Sequence, residues 1–374
     1  MIQEASFRNF KALADVRVRF GEVTCLVGAN ASGKTSVLEG IERLTALATS
    51  GASDEASRFG GISRSFRGRF EPDLIRTAGS SDLLEFRLEA RGTLCLSIAL
   101  HPRAWMPSAS LTGPDGTYRF EVPGEGNMNE SFFHAVGSMG LEPSMRLRFE
   151  PHHLGRPSYF IDDNPHVAPD GSGLSSVISY LLSARHPGVG AIEDDLNRIL
   201  PGAGRLRTKI AEISQTEHDL IRINDEVFDR PIERKILGHR LELLGRGGEG
   251  IPADHLSEGT LLVIGILTVL HTNPGLKLLL LDDIDRGLHP RAQRTLVELL
   301  LKIRAERPEL QVVCTTHSPF VLDLFATEDV RVMKRDAEGL AHCQELTAHP
   351  EWPKWKETLK AGEFWSFVGE DWVG

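Results

Sequence analysis

Apolar and polar positions alternate through residues 5–20, which predicts paired strands or a hairpin. Val23–Val27 (VTCLV) is a short β-branched run ending in Gly28. Val37, Leu38, Ile41, Leu44 and Leu47 then recur at helical spacing, so Ser36–Leu47 reads as a helix. The order is strand, Gly-rich loop, helix. Residues 48–82, rich in Gly, Ser and Arg, read as loop with short elements. Leu83–Leu100 alternates again and predicts two antiparallel strands, whereas residues 101–172 carry many Pro and Gly and little period. Gly173–Leu182 and Ala191–Leu200 are helical by spacing, broken at His186-Pro187, and Ile221–Leu244 is strand-rich. Further on come an apolar helix (Leu261–His271), a buried strand (Lys277–Leu281), an amphipathic helix (Arg291–Ala305) and another buried strand (Gln311–Thr315). No heptad pattern persists, so no long coiled-coil arm is expected between the two ends.

Composition narrows the class. The chain has 374 residues, 41% hydrophobic and 25% charged, which suits two to three globular domains. Lys and Arg total 42 against 52 Asp and Glu, a formal charge of −10. A general charge-driven nucleic-acid binder is usually basic, so any such contact must come from a local patch. Cys25, Cys95, Cys314 and Cys343 are scattered with no CxxC pair, and read as reduced thiols. The opening MIQEASFRNF has no secretory character, and the apolar runs Leu261–Leu270 and Leu278–Leu281 are too short to span a bilayer. A soluble cytoplasmic protein with no membrane association is expected.

Gly28-Ala-Asn30-Ala31-Ser32-Gly33-Lys34-Thr35 fits G-x-x-x-x-G-K-[ST] in full. Glycines let such a loop wrap so that successive backbone N–H groups face phosphate, and the helix it opens favours anions. Residues Asn30 to Ser36 would line the phosphates. Lys34 would supply a point charge to the β/γ-phosphates, and the Thr35 hydroxyl would ligate Mg²⁺. ATP and Mg²⁺ are therefore the expected cofactors. Leu278–Leu281 ends in Asp282-Asp283. Such a strand puts one carboxylate near the metal, which assigns Asp282 to Mg²⁺ and Asp283 to a base or water-orienting role. The plain alternative is a core strand followed by a solvated acidic turn. Leu256-Ser257-Glu258-Gly259-Thr260 precedes the apolar helix and could meet phosphate, but Ser257 is equally a good N-cap. Asp285-Arg-Gly287-Leu288-His289-Pro290 follows the acidic strand, and Val313-Cys-Thr-Thr-His317-Ser-Pro319 ends the next one with a histidine.

In this order the motifs resemble the ATP-binding-cassette class of P-loop ATPases: Walker A, signature (LSEGT), Walker B, D-loop and switch histidine. Phe7-Arg8-Asn9-Phe10, the SEGT signature and the GLHP after Walker B resemble, more narrowly, the SMC/RecF/OLD-like group, including AAA-family ATP-binding proteins of bacterial defence loci. The likeness is close over residues 1–45 and 250–325. It implies an α/β P-loop head with a mixed sheet, a helical lobe and a variable middle insertion. The corresponding segments are residues 1–100 and 246–345 for the two parts of the head, 101–245 for the middle and helical lobe, and 346–374 for a Trp-rich tail. It also implies a homo-oligomer, a head-to-tail dimer or multiples of it, in which Ser257 and Gly259 of one protomer contact the γ-phosphate held by Gly33, Lys34 and Thr35 of the other. His317 would sense that phosphate, Asp285 would lie near the dimer seam, and Arg8 and Asn9 would lie near the nucleotide.

Two departures from the family pattern bear on turnover. Asp283 stands where most relatives carry Glu, a reach shorter by about one methylene, so slow hydrolysis is expected. No Gln occurs between Gln3 and Gln215, so the usual Q-loop glutamine is missing. Two further features leave alternatives open. Arg58, Arg64, Arg67, Arg69 and Arg76 could hold phosphate or nucleic acid, form a solvated face or pair with a partner's acids. The tail, with Trp352, Trp355, Phe364, Trp365, Phe367 and Trp372, could dock a partner or complete the protein's own core. The functional expectation is an ATPase switch or sensor that controls a separate effector protein in anti-phage defence. The alternatives are a RecF-like DNA clamp and a nucleotide-gated scaffold with little turnover. Nothing outside the nucleotide site forms a nuclease constellation, and little room is expected for a C-terminal Toprim domain.

Overall fold

The computed structural model describes residues 1–49, 84–90, 94–100, 107–113, 116–121, 143–160, 165–223, 226–245 and 247–374. The arginines from Arg58 to Arg76 lie outside the described residues. In chain order the early elements are β1 (Ile2–Phe10), β2 (Leu13–Arg19), β3 (Val23–Val27), α1 (Lys34–Thr49), β4 (Leu84–Ala90), β5 (Leu94–Leu100), β6 (Pro107–Gly113), β7 (Gly116–Glu121) and β8 (Ser144–Leu147). The middle holds α2 (Pro151–Leu154), α3 (Leu174–Ser183), α4 (Gly188–Ile199), β9 (Arg205–Ile223), β10 (Glu226–Leu244), β11 (Gly250–Pro252) and α5 (Glu258–Thr272). The end holds β12 (Leu278–Leu281), α6 (Pro290–Glu306), β13 (Gln311–Thr316), α7 (Pro319–Leu322), β14 (Val330–Arg335), β15 (Ala341–Glu345), α8 (Trp352–Trp355) and α9 (Ala361–Val368).

The chain forms two compact units, both discontinuous in sequence. The first comprises residues 1–146, 275–285 and 297–374, and the second residues 147–274 and 286–296. Two sheets build the first unit. One is fully antiparallel, in the order β2-β1-β4-β5-β6-β7. The other runs β15-β14-β3-β13-β12-β8, with β14, β3, β13 and β12 mutually parallel and β15 antiparallel at the edge. Every residue of β3, β12 and β13 is buried, which explains why they read as continuous apolar runs rather than alternating ones. One core joins Phe7, Phe10 and Phe86 of the antiparallel sheet to Leu26, Leu280 and Val313 of the other and to Val37, Leu38, Ile41 and Leu44 of α1. Gly40 lets α1 approach β1: a Cβ there would lie 2.4 Å from the Phe7 ring.

The tail belongs to this first unit. Phe364 is fully buried, with ring centroids 5.3 Å from His349 and 5.1 Å from Trp352, and Val373 is buried too. A Cβ on Gly362 would sit 1.9 Å from the Pro319 carbonyl oxygen, so α9 seats tightly on α7. Phe320 and Phe367 stay exposed.

In the second unit, β9 and β10 pair as a 19-residue antiparallel hairpin, with β11 beside β10. Helix α3 lies against this hairpin, through Ser179 Oγ 2.9 Å from His239 Nδ1. Helix α4 packs on α5, tied by His271 Nε2 at 2.8 Å from Asp195. Among the described residues the longest helix has 17 residues, so no coiled-coil arm occurs there, and no helix is long and apolar enough to cross a membrane.

Candidate nucleotide site

The loop between β3 and α1 owes its shape to residues that tolerate unusual backbone angles. Gly28 (φ 154°) and Gly33 (φ 102°) take values that a side chain resists, and a Cβ on Gly28 would fall 2.0 Å from the Met333 carbonyl oxygen. Ala31 also holds a positive φ, 64°. The loop leads directly into α1, whose first-turn N–H groups have no carbonyl partner within the helix by geometry. It borders a cavity of about 560 Å³ lined by Asn30, Ala31, Ser32, Gly33, Lys34, Thr35 and Ser36, together with Asp283 and His317. These expected residues therefore meet in one place.

Lys34 is buried. Its ammonium donates to the carbonyl oxygens of Gly28 (2.8 Å) and Ala29 (2.9 Å) and to Ser32 Oγ (3.4 Å). Burial pushes its pKa below the ordinary lysine value, against the pull of Asp283 and other acids. Across the site, Thr35 Oγ1 donates to Asp282 Oδ1 at 3.1 Å. This is the pair assigned to Mg²⁺, already within reach of one another. Among the described residues no cluster of three or more His, Cys, Asp and Glu could hold a metal. A hydroxyl plus one carboxylate suits Mg²⁺ completed by phosphate and water. The residues present fit MgATP, with the cavity as room for phosphate.

Asp283 follows on a left-handed backbone, φ 52°. Its carboxylate lies 3.7 Å from His317 Nε2. Burial pushes its pKa up and the neighbouring Asp282 carboxylate adds to this, partly offset by His317 and Lys34. Asp285 accepts from Thr316 Oγ1 (2.7 Å) and from the His317 N–H (3.4 Å).

Several contributors escaped the sequence reading. Lys11, Ala12, Arg335, Glu338 and Gly339 line the same cavity. Arg8 and Asn9 do not; Arg8 instead pairs with Glu85 at 3.4 Å, and the turn at Lys11-Ala12 reaches the cavity. The positive φ of Asn9 (58°) and Lys11 (52°) produces that turn, which alternation alone does not reveal. Arg146, at the end of β8, is buried with Nη1 2.7 Å from Glu42 and Nη2 3.6 Å from Asp282. The low periodicity of residues 101–172 hid it.

Ser257 and Gly259 belong to the second unit. Ser257 is the N-cap of α5, accepting from the Thr260 N–H at 3.2 Å, so its local role is fulfilled there. Gly259 is buried, and a Cβ would lie 2.4 Å from the Gly287 carbonyl oxygen. A close approach of backbones thus requires glycine at this position.

Comparisons with known proteins agree with this fold. A retron Vc95 probable ATPase of Vibrio cholerae is 29% identical over 24% of this chain, and an OLD nuclease of Thermus scotoductus is 21% identical over 90% of it. The chain spans only 19% and 63% of those two proteins. Among solved structures, an Smc head bound to the C-winged helix domain of ScpA matches with TM-score 0.60 at 15% identity, over 94% of this chain and 99% of that one. An Smc head with an extended coiled coil, bound to the C-terminal domain of ScpA, from Pyrococcus furiosus matches with TM-score 0.57 at 13% identity, over 95% and 98%. These likenesses establish the α/β head fold with its mixed sheet. A family model described as "AAA domain, putative AbiEii toxin, Type IV TA system" matches residues 23–323, most of the chain, and the protein belongs to that family.

Proposed function

We propose that the protein is a MgATP-driven switch, which closes as a head-to-tail dimer around nucleotide and passes that closure to a separate effector protein in defence against phage. The observation that supports this most directly is the convergence of Lys34, Thr35, Asp283 and His317 on one cavity, with Asp282 held behind it by the Thr35 hydroxyl. The likeness to a retron ATPase and an OLD nuclease is what supports a defence setting.

Lys34 exchanges its loop carbonyls for the β/γ-phosphate oxygens, and the α1 N-terminus holds the phosphates by backbone N–H groups. Thr35 and Asp282 hold Mg²⁺, which when bound neutralises charge on the phosphates. Asp283 orients a water and takes its proton as the water oxygen bonds to the γ-phosphorus and the bond to the ADP oxygen breaks. His317, beside Asp283, senses the γ-phosphate. Ser257 and Gly259 of the second protomer complete the phosphate shell.

Calorimetric titration with ATP and Mg²⁺, followed by a phosphate-release assay, tests the reading. Micromolar to submillimolar binding with slow turnover is expected. Absence of ATP binding at millimolar nucleotide overturns it.

A further inference from the structure

Thr315 is fully buried at the end of β13, one strand away from the acids of the site. Its single hydroxyl meets both acids and also lies 3.5 Å from Asp283 Oδ1. It accepts from the Asp283 N–H at 2.7 Å and donates to Asp282 Oδ1 at 2.9 Å. The Thr315 carbonyl accepts from the Ile284 N–H at 3.1 Å. One residue therefore anchors the N–H groups on both sides of Asp283 and the carboxylate in front of it. The backbone at Asp283 is the one that needs anchoring. A non-glycine residue at φ 52° is sterically disfavoured, less so for Asp than for most, and is held there by the contacts around it. That turn, and not a continued strand, brings the Asp283 carboxylate to 3.7 Å from His317.

We infer that Thr315 is a positioning residue for both acids: it fixes Asp283 in its left-handed turn and aims Asp282 Oδ1 at Thr35. Without the hydroxyl, the Asp283 N–H is left without this acceptor beside a buried strand, and the turn relaxes toward extended backbone to regain one. The acid then swings from the cavity while Lys34 and its loop stay in place. Asp282 Oδ1 loses one of the two hydroxyls that orient it, the other being Thr35 Oγ1. Neither acid is chemically altered; only its position changes. The inference rests on the ATPase reading above, and the test separates the two.

Thr315→Val keeps the shape and removes the hydroxyl; Thr315→Ser keeps the hydroxyl and removes a methyl. Turnover in Thr315→Val should fall about 100-fold, the scale of a displacement near one ångström at a reacting group. The Mg²⁺ concentration for half-maximal nucleotide binding should rise several-fold, while ATP affinity without Mg²⁺ stays within twofold. Thr315→Ser should recover turnover to within about threefold of wild type. In an Asp283→Asn background at saturating Mg²⁺, where the effect through Asp282 is masked, Thr315→Val should cost little further turnover, because what remains acts through Asp283. Equal turnover in Thr315→Val and wild type overturns the inference, as does a Ser variant as impaired as Val, which would mean that the methyl packing is what counts. If Thr315→Val does not fold, Thr315→Cys, a weak hydrogen-bonding partner of serine's size, carries the same comparison with Thr315→Ser. If wild type binds MgATP without turnover, the hydrolytic reading fails on its own, and an unchanged Mg²⁺ dependence in Thr315→Val then overturns the positioning role.

Discussion

Lys34 and Asp283 carry opposite charges in one cavity, and burial works against the charged form of each. The Gly28 and Ala29 carbonyls accept from the Lys34 ammonium, a solvation shell that phosphate can replace. Lys34→Ala removes the cation and keeps the loop glycines. ATP affinity should fall at least 100-fold, about 3 kcal/mol by the usual conversion, with thermal unfolding little changed. Titration calorimetry beside a melting curve checks both, and unchanged affinity rules out this residue as the phosphate-binding cation. Asp283→Asn separates binding from chemistry. The amide keeps the size and the turn but cannot take a proton, so ATP should remain bound while phosphate release drops by two orders of magnitude or more. Turnover equal to wild type would move the base to Asp285 or His317. Both carboxylates, the lysine and the histidine were legible in the sequence because their types and spacing are dictated by phosphate chemistry. Thr315, Thr316 and Arg146 were not legible. A hydroxyl or guanidinium that acts on another side chain leaves no spacing signature, and only the pairing of β13 with β12 places Thr315 opposite the acidic turn.

At the scale of elements, legibility followed burial. Strands β3, β12 and β13 and helices α1, α5 and α6 bury wide apolar faces, and their runs announce them. The hairpin β9–β10 does not, and only its second strand was expected. Its register puts Leu206, Thr208 and Ile210 on one face and Ile213 on the other, so the apolar face switches within β9 and the period of two breaks. Ile210 and Leu237 are largely exposed, as a hairpin with two polar faces allows. Its base is held by charge. Glu242 is almost wholly buried, with Oε2 2.6 Å from Arg207 Nη2 and Oε1 3.2 Å from Lys209 Nζ and 3.4 Å from Arg240 Nη2. Burial alone raises the Glu242 pKa, but hydrogen bonds and charge from Arg207 and Lys209 outweigh it and hold the carboxyl below its ordinary value. A depressed folded pKa means stability that is present above the unfolded value, about 4.3, and lost as pH falls through the folded one. Glu242→Gln should therefore lower the melting temperature by about 5 °C at pH 7, with the gap closing towards pH 3. A gap that is the same at both pH values would show that the cations contribute nothing through charge.

For the whole molecule, the two units separate what the mechanism needs together. The cavity residues all belong to the first unit, while Ser257 and Gly259 belong to the second, at the start of α5. Ser257 caps its own helix and Gly259 accommodates Gly287, so both have local structural tasks. A cap can still present its helix N-terminus to an anion, because the N–H groups of the first turn remain directed outward. If each site takes its P-loop from one chain and this helix start from another, ATP should drive association. Light scattering or analytical ultracentrifugation should show a dimer of Asp283→Asn at saturating ATP and Mg²⁺ and a monomer without nucleotide. Wild-type specific activity should rise with protein concentration until dimerisation saturates. Ser257→Arg, which places bulk and positive charge at the helix start, should bind ATP like wild type yet remain monomeric and turn over at least tenfold more slowly. Mixing it with Lys34→Ala should restore part of the activity where single sites fire independently, since one hybrid site then keeps both intact halves. A chain that stays monomeric at saturating ATP and Mg²⁺, and whose specific activity does not change with its own concentration, would exclude the composite site and leave Ser257 as a helix cap alone.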